Sequence, residues 1–332
     1  MKCKGIIAPE KGRVLMADID VLPPVKDEVQ VRMVSTLVST GTERAWVHAL
    51  ENAVPKSYPY VPGYCCAGYV EAMGPEVSGF EVGDRVACYA VDVGHREIGN
   101  VPAYRVVHIP DGVSFDHAAF TSLGQTSLQG VRKCKIELGE SVVSYGLGIV
   151  GLIALQFASL NGALPAIGLA RSEERLEMAM QCGADAALDT RASDWRDKLR
   201  ELTGGKGPNV VIENTGEPSV MTDACKIAAD YARISILGCP RGRTDFNFYS
   251  EVQKKSISII GAHAVDSIPR HYSYPNFWTF ADDADCFLAF VKAGKFVIDP
   301  MIGEVVEKNE AERAYQRLMA KEINPLGMLI HW

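Results

Sequence analysis

The chain reads as an α/β protein: a doubly wound parallel sheet inserted in a β-rich, barrel-like domain. Three features carry that reading. A Gly146-Leu147-Gly148-Ile149-Val150-Gly151 turn joins an apolar strand-like run to an apolar helix-like run. From about Phe115 onward, short buried runs alternate with helical ones. Before it, short β-like runs alternate with Gly and Pro turns.

The β-rich part contains residues 29–34, 85–89 and 104–109, separated by Gly83-Asp84 and Pro110-Asp111-Gly112. The α/β part opens with a strand at 141–145, the glycine turn and a helix at 152–160. Strands at 166–170, 186–189, 210–213, 233–237 and 256–260 follow, with helices at 173–181, 194–202 and 220–229 between them. Crossovers of this length imply parallel strands. The tail reads as a helix at 281–293, a strand at 296–303 and a helix at 310–320. The domains expected are therefore 1–121 with 263–332, and 122–262, with a cleft between them.

Bulk properties narrow the partners. A chain of 332 residues has room for two domains. A hydrophobic share of 47% and a charged share of 23% suit a soluble globular protein. With 34 Lys and Arg against 41 Asp and Glu, the net charge of −7 argues against nucleic acid or an anionic membrane as partner. No leader or long apolar span is visible, so a cytoplasmic location is expected. Nine scattered cysteines, an odd number, do not suggest a disulfide framework.

In its strand–turn–helix context, Gly146 to Gly151 is a dinucleotide fingerprint and the α/β part a Rossmann unit. The first glycine makes the tight turn, the second lets a pyrophosphate approach, and the third packs helix on strand. Leu147, Ile149 and Val150 complete the turn and open the helix whose N-terminus faces the phosphates. A purely structural glycine turn is the alternative. Ligands sit at the carboxyl ends of such strands, which here carry Gly146, Ala170, Thr215-Gly216 and Gly238-Cys239.

Gly41-Thr42-Glu43, Val61-Pro62-Gly63, residues 79–86, the fingerprint and Cys182-Gly183-Ala184-Asp185 together resemble the medium-chain dehydrogenase/reductase superfamily, the alcohol-dehydrogenase-like enzymes, over essentially the whole chain. The resemblance implies a GroES-like catalytic domain around the Rossmann unit. Residues 39–44 with Pro62-Gly63-Tyr64 resemble the branch that includes hydroxyethyl-bacteriochlorophyllide dehydrogenase. The chain departs from the zinc members. Thr40 stands at the Cys position, Tyr64 at the His position, and the third ligand falls near Thr121-Ser122. Catalytic zinc takes thiolate, imidazole or carboxylate ligands, so no zinc is expected. The four-cysteine structural-zinc lobe is missing as well, and Cys65-Cys66 reads as packing or site wall.

An acid at the end of the second Rossmann strand marks NAD enzymes. Here Ala170 is followed by Arg171-Ser172 and later Arg175, which favours NADP(H), with NAD(H) possible. Arg171 can pair with a 2′-phosphate and Ser172 can donate to it. Alternatively Arg171 lies on the adenine face and Arg175 is a solvated helix residue.

Without zinc, hydroxyls must polarise the substrate oxygen. Tyr64 is the first candidate proton donor, assisted by Thr40 and Thr42, the latter matching the superfamily's proton-relay hydroxyl. An aromatic filler is the competing role for Tyr64. His95, in the loop Gly94-His95-Arg96-Glu97, is the second candidate, with a surface or structural role as the alternative. Glu43 with Arg44 is expected as an ion pair, and His48 on the first helix faces either substrate or core. The aromatic run 271–280 suits a flat substrate or a subunit interface.

The expected activity is zinc-independent interconversion of a secondary alcohol (polyol, sugar or cyclic) and its ketone. An NADPH-dependent enone or quinone reductase and a non-catalytic nucleotide-binding protein are the alternatives. Relatives pair through the last Rossmann strand, here 256–260, so a homodimer, or a tetramer, is expected.

Overall fold

A computed structural model describes the whole chain except residues 54, 56, 92, 264–267 and 270–277. The chain divides into two compact units, Met1–Ser122 with Pro269–Trp332, and Leu123–Ile268. The expected boundaries lay at 121/122 and 262/263.

The first unit begins with an antiparallel hairpin of β1 (Lys2–Glu10) and β2 (Arg13–Asp20). A long strand, β3 (Glu28–Val38), then leads into α1 (Thr40–Val47). After β3 come β4 (Cys65–Met73), β5 (Arg85–Tyr89), β6 (Ile98–Pro102) and β7 (Val106–His108). A short helix, α2 (Phe115–Ala118), follows, and α3 (Thr121–Lys133) starts at the boundary and belongs mostly to the second unit.

The second unit is an open parallel sheet. Its strands are β8 (Val142–Tyr145), β9 (Ala166–Ala170), β10 (Ala186–Asp189), β11 (Val210–Glu213), β12 (Arg233–Ile236) and β13 (Ser258–Gly261). They lie in the order β10-β9-β8-β11-β12-β13, all parallel. The connecting helices are α4 (Ile149–Leu160), α5 (Glu173–Gln181), α6 (Trp195–Leu202) and α7 (Pro218–Ile227). Chain direction across the sheet reverses between β8 and β11, which is the topological switch point where such folds bind ligands. β8 and β11 are buried along their full length, as central strands covered on both faces require. β13 forms the sheet edge, so Ile259 keeps 37% of its surface exposed although the run reads as apolar.

The chain then returns to the first unit through α8 (Phe280–Lys292), β14 (Ile302–Glu307), α9 (Lys308–Met319) and β15 (Gly327–His331). β15 pairs with β3 on one side and β14 on the other, so the C-terminal strand joins the seven-stranded sheet. Ile6, Val38, Val47, Tyr315, Leu318 and Ile330 share one core.

Two expected strands shrink. In 104–109, residues 103–105 form a 3₁₀ turn and only β7 remains. In 296–303, Asp299–Met301 is a 3₁₀ turn, because Pro300 supplies no amide hydrogen to a ladder, and the strand starts at Ile302. The hairpin β1–β2 and strand β15 lie outside the expected set. Among the described residues no helix is long and apolar enough to cross a membrane.

Candidate active site

In the second unit the six-residue turn has the form its spacing implies. Gly146 adopts φ +96°, where a Cβ would lie 2.7 Å from Thr215 Cγ2. At Gly151 a Cβ would lie 1.9 Å from the Gly146 carbonyl oxygen, so only hydrogen lets α4 pack this close to β8. Gly148, the residue before α4, has open space: a Cβ there meets nothing within 4 Å. Its free side is the approach a pyrophosphate needs, and the unpaired amides of α4 begin beside it.

The loop after β11 faces this turn. Thr215 donates to Glu213 Oε1 from its amide at 2.6 Å and from its hydroxyl. Burial pushes the Glu213 carboxyl above its usual range, against those hydrogen bonds. Gly216, at φ +67°, leaves room for the Cys239 carbonyl, and Gly238 for the Gly216 amide. Thr215, Gly216, Gly238 and Cys239 therefore form one packed rim. Ala170 ends β9 without an acid, and Arg171 and Ser172 are exposed. Arg175 differs from the solvated alternative: its Nη1 is buried and has no hydrogen-bond partner, and burial lowers its pKa.

In the first unit the expected residues gather around the start of α1. Thr40 and Thr42 lie in its first turn, both half-buried. Tyr64 precedes β4 and stacks its ring 5.1 Å from that of Tyr89 at 36°. Tyr89 meets Phe280 edge-on at 5.9 Å. Tyr64 retains some accessible surface, but its hydroxyl is desolvated, which drives its pKa well above 10. The charges of Cys65, Tyr89 and Glu43 add to that rise, and a hydrogen bond with Ser39 opposes it. The hydroxyl is therefore protonated at neutral pH.

His95 departs from the expectation of a catalytic group in an open loop. The ring has no exposed surface. Gly63, at φ +92°, lies against it, so close that a Cβ would sit 2.6 Å from the ring, and the His95 amide donates to Pro62 O at 3.0 Å. His95 Nε2 lies 2.8 Å from Glu43 Oε2, and Nδ1 lies 2.9 Å from Thr36 Oγ1. Trp332 Nε1 donates to the same Thr36 oxygen at 2.9 Å. With Glu43 accepting, Nε2 carries the hydrogen, and Nδ1 accepts from the Thr36 hydroxyl. Glu43 also accepts from the Ser39 amide at 2.7 Å and from the Tyr315 hydroxyl. His95 is thus a structural member of a buried network that anchors α1.

Other expectations change with it. Arg44 does not pair with Glu43; its guanidinium donates to Leu318 O and Asn324 Oδ1. His48 Nε2 lies 3.1 Å from Met319 O, a packing contact at the end of α1. Of the aromatic run 271–280, residues 271–277 lie outside the described residues; Phe280 is buried and Trp278 is half-exposed. Sequence reasoning missed Ser39, Tyr315 and Trp332. Ser39 lies in the 39–44 motif but was given no role, Tyr315 and Trp332 lie in none, and Trp332 reaches Thr36 across 296 residues of chain.

Comparison with known proteins matches two stretches of the chain. Residues 25–119 match the alcohol dehydrogenase GroES-like domain and residues 150–283 the zinc-binding dehydrogenase family. The chain belongs to the medium-chain dehydrogenase/reductase superfamily. It is an NAD(P)-dependent, alcohol-dehydrogenase-like oxidoreductase. Among its relatives, sorbitol dehydrogenase of Halalkalibacterium halodurans is 29% identical over 73% of this chain and 78% of the relative. Quinone oxidoreductase of Mus musculus is 27% identical over 92% of this chain and 90% of the relative. The solved structure of galactitol-1-phosphate dehydrogenase from Escherichia coli superposes with a TM-score of 0.86 at 22% identity, covering 99% of this chain and all of that one.

Membership in a family of zinc-binding type raises the question of whether the residues present fit zinc. At the positions where the family resemblance implies zinc ligands, the chain has Thr40, Tyr64 and the Thr121-Ser122 pair. Ser122 Oγ donates toward Tyr64 O at 3.5 Å and Cys88 O at 3.4 Å. Burial raises the Cys65 and Cys66 thiols well above their usual pKa, so neither is a ready thiolate. Cys66 Sγ points to Gly94 O at 3.5 Å. Among the described residues no group of three His, Cys, Asp or Glu is placed to hold a metal ion. Neutral hydroxyls and thiols do not fit a catalytic zinc. The glycine turn, by contrast, fits a dinucleotide.

Proposed function

We propose that this enzyme is a zinc-independent, NADP(H)-preferring oxidoreductase that interconverts a secondary alcohol, of the polyol, sugar or cyclic class, and its ketone. We place it in the zinc-lacking branch. The observation that carries the reading is Tyr64: a hydroxyl kept protonated, at the position where zinc members hold a histidine, next to Ser39 and the first turn of α1.

For the cofactor, Gly146, Gly148 and Gly151 with the Ile149 end of α4 would hold the pyrophosphate, and the Thr215-Gly216 and Gly238-Cys239 rim would border the other half. The unpartnered Arg175 Nη1 and the exposed Arg171 support a 2′-phosphate. When bound, the dinucleotide supplies hydride transfer at carbon.

The chain's own part concerns oxygen. In reduction, Tyr64 donates a hydrogen bond to the carbonyl and gives up its proton as the oxygen becomes an alkoxide. Glu43 opposes a second negative charge nearby, so the phenolate takes up a proton from solvent again. Thr40 and Thr42 add neutral donors. Oxidation would need the phenolate as base, a form that burial and Glu43 disfavour.

The relative named quinone oxidoreductase supports a second reading, reduction of an enone or quinone, which calls for no metal. A homodimer through the β13 edge and a reducing, cytoplasmic setting for nine free cysteines complete the proposal. The test is NADPH oxidation against ketones, enones and quinones, with metal analysis of the purified enzyme. Ketone turnover without zinc is expected. Turnover of enones or quinones alone overturns the alcohol reading, and zinc-dependent activity overturns the donor assignment. Binding without turnover on the whole panel would leave nucleotide binding as the role.

A further inference from the structure

Nine cysteines differ sharply in their surroundings. Seven are buried, Cys286 is half-buried, and Cys239 is exposed. Burial drives Cys134 to a pKa of about 12 and Cys182 and Cys225 to about 11, so these thiols are inert at neutral pH.

Cys239 follows β12 at the carboxyl edge of the parallel sheet. The β12–β13 register pairs Ile236 with Gly261, which brings the chain after β12 alongside the chain after β13. His263 is there, two residues past β13, and shares a side-chain hydrogen bond with Cys239. Arg241 lies near the same sulfur, and its amide donates to Gly216 O at 3.0 Å. The opposing acid is Glu213, at the end of β11. The hydrogen bond from His263 and the charge of Arg241 hold the Cys239 thiol below its ordinary pKa, against its own desolvation and Glu213. The segment is also pinned in place, because Gly216 leaves only the room of a hydrogen beside the Cys239 carbonyl.

We propose that Cys239 and His263 form a reactive thiol–imidazole pair, and that Cys239 is a site of thiol–disulfide exchange with a small disulfide of the oxidised-glutathione class. Cys239 passes its proton to His263 and its sulfur attacks one sulfur of the disulfide. The old S–S bond breaks as the new one forms. The second sulfur leaves as a thiolate and takes the proton from His263. One disulfide replaces another, with no other oxidant required. The adduct lies on the rim made by Thr215, Gly216 and Gly238. If that rim holds the dinucleotide, a consequence that rests on the proposed function, the adduct excludes it.

The test uses the intact enzyme. Iodoacetamide labelling is followed from about pH 5.5 to 9 and located by peptide mass spectrometry. Cys239 is expected to label first, with an inflection below the ~8.5 of a free thiol. Each unit of lowering raises the thiolate fraction about tenfold and costs roughly threefold in nucleophilicity, a net gain of about threefold below both pKa values. H263Q moves the inflection upward, and R241Q moves it less. C239S abolishes the fast label and the single oxidised-glutathione adduct. Another cysteine reacting first, an inflection at or above ~8.5, or an unmoved inflection in H263Q overturns the pair. NADPH is expected to slow labelling. Fast Cys239 labelling that NADPH leaves unchanged supports the pair and counts against the cofactor site instead.

Discussion

Gly148→Ala separates a binding turn from a merely structural one. The residue sits at φ −75° and ψ −177°, extended backbone that alanine adopts readily. A Cβ there meets nothing within 4 Å. Folding therefore gains the usual benefit of replacing glycine at a compatible site, about 0.4–1 kcal/mol from a less free unfolded chain. The dinucleotide meets the opposite effect. The methyl group would occupy the space left for the pyrophosphate, and overpacking of one such group costs about 1–3 kcal/mol. At 1.4 kcal/mol per decade, binding weakens roughly 5- to 150-fold. Gly146→Ala and Gly151→Ala serve as contrasts. The first places alanine at φ +96° against Thr215, and the second drives a Cβ to within 1.9 Å of a carbonyl oxygen, so both lose stability. NADPH fluorescence titration and thermal unfolding of the three variants give the readout. A Gly148→Ala enzyme that binds NADPH within about twofold of the parent would refute the pyrophosphate assignment, since that is far less than the roughly 5-fold minimum. One that melts several degrees lower would refute the account of the turn.

Four further outcomes follow from the two units. Tyr64→Phe should lower kcat by about 10²–10⁴ with NADPH affinity unchanged. In the parent this hydroxyl should produce no inflection between about pH 6 and 9, because its pKa lies well above 10; an inflection there that vanishes in Tyr64→Phe contradicts the assignment. Arg171→Ala should weaken NADPH roughly 10- to 150-fold through one lost charge-assisted bond and leave NADH nearly unaffected, as paired titrations would show. Glu43→Gln should cost about 2–4 kcal/mol in urea unfolding, because an amide nitrogen then faces buried donors from Ser39, His95 or Tyr315; a loss below about 0.5 kcal/mol would show the network to be incidental. Burial pushes the Glu140 carboxyl up, but Arg233 and the Glu137 amide bring it below its usual range. Its stabilisation is then present above the unfolded value near ~4.3 and is lost as pH falls through the folded value. Glu140→Gln should cost about 1–3 kcal/mol at neutral pH, with the gap to the parent closing below about pH 4.

The parallel sheet was readable because each strand is a short apolar run bounded by glycine or a polar turn, and each helix has its own punctuation. Residues 166–170, 173–181, 186–189 and 210–213 coincide with β9, α5, β10 and β11. The mixed sheet was harder. β3 runs from Glu28 to Val38, well past the alternating stretch at 29–34, because Ser35 and Thr36 are buried polar residues that break the pattern. Their burial has a tertiary cause that no local window shows: His331 and Ile330 of the C-terminal strand pair opposite them.

The same distinction governs the site. Gly146 and Gly151 could be assigned from spacing because their constraint is local: one needs a positive φ, and the other lies five residues away against the first one's carbonyl oxygen. His95 could not. Its neighbours Gly94 and Arg96 suggest an open loop, yet Gly63 is bare on the side that faces the ring, and Glu43 and Thr36 take both nitrogens. A buried imidazole with both nitrogens committed cannot exchange protons with a substrate at low cost, however suitable the residue type. What it does instead is fix Glu43, and through Glu43 the Ser39 amide at the head of α1. Ser39 in turn bonds to Tyr64. The motif Gly41-Thr42-Glu43 and the Pro62-Gly63 pair therefore serve one purpose. They belong to one buried network, which reaches through Ser39 to the Tyr64 hydroxyl that the proposed function takes as proton donor.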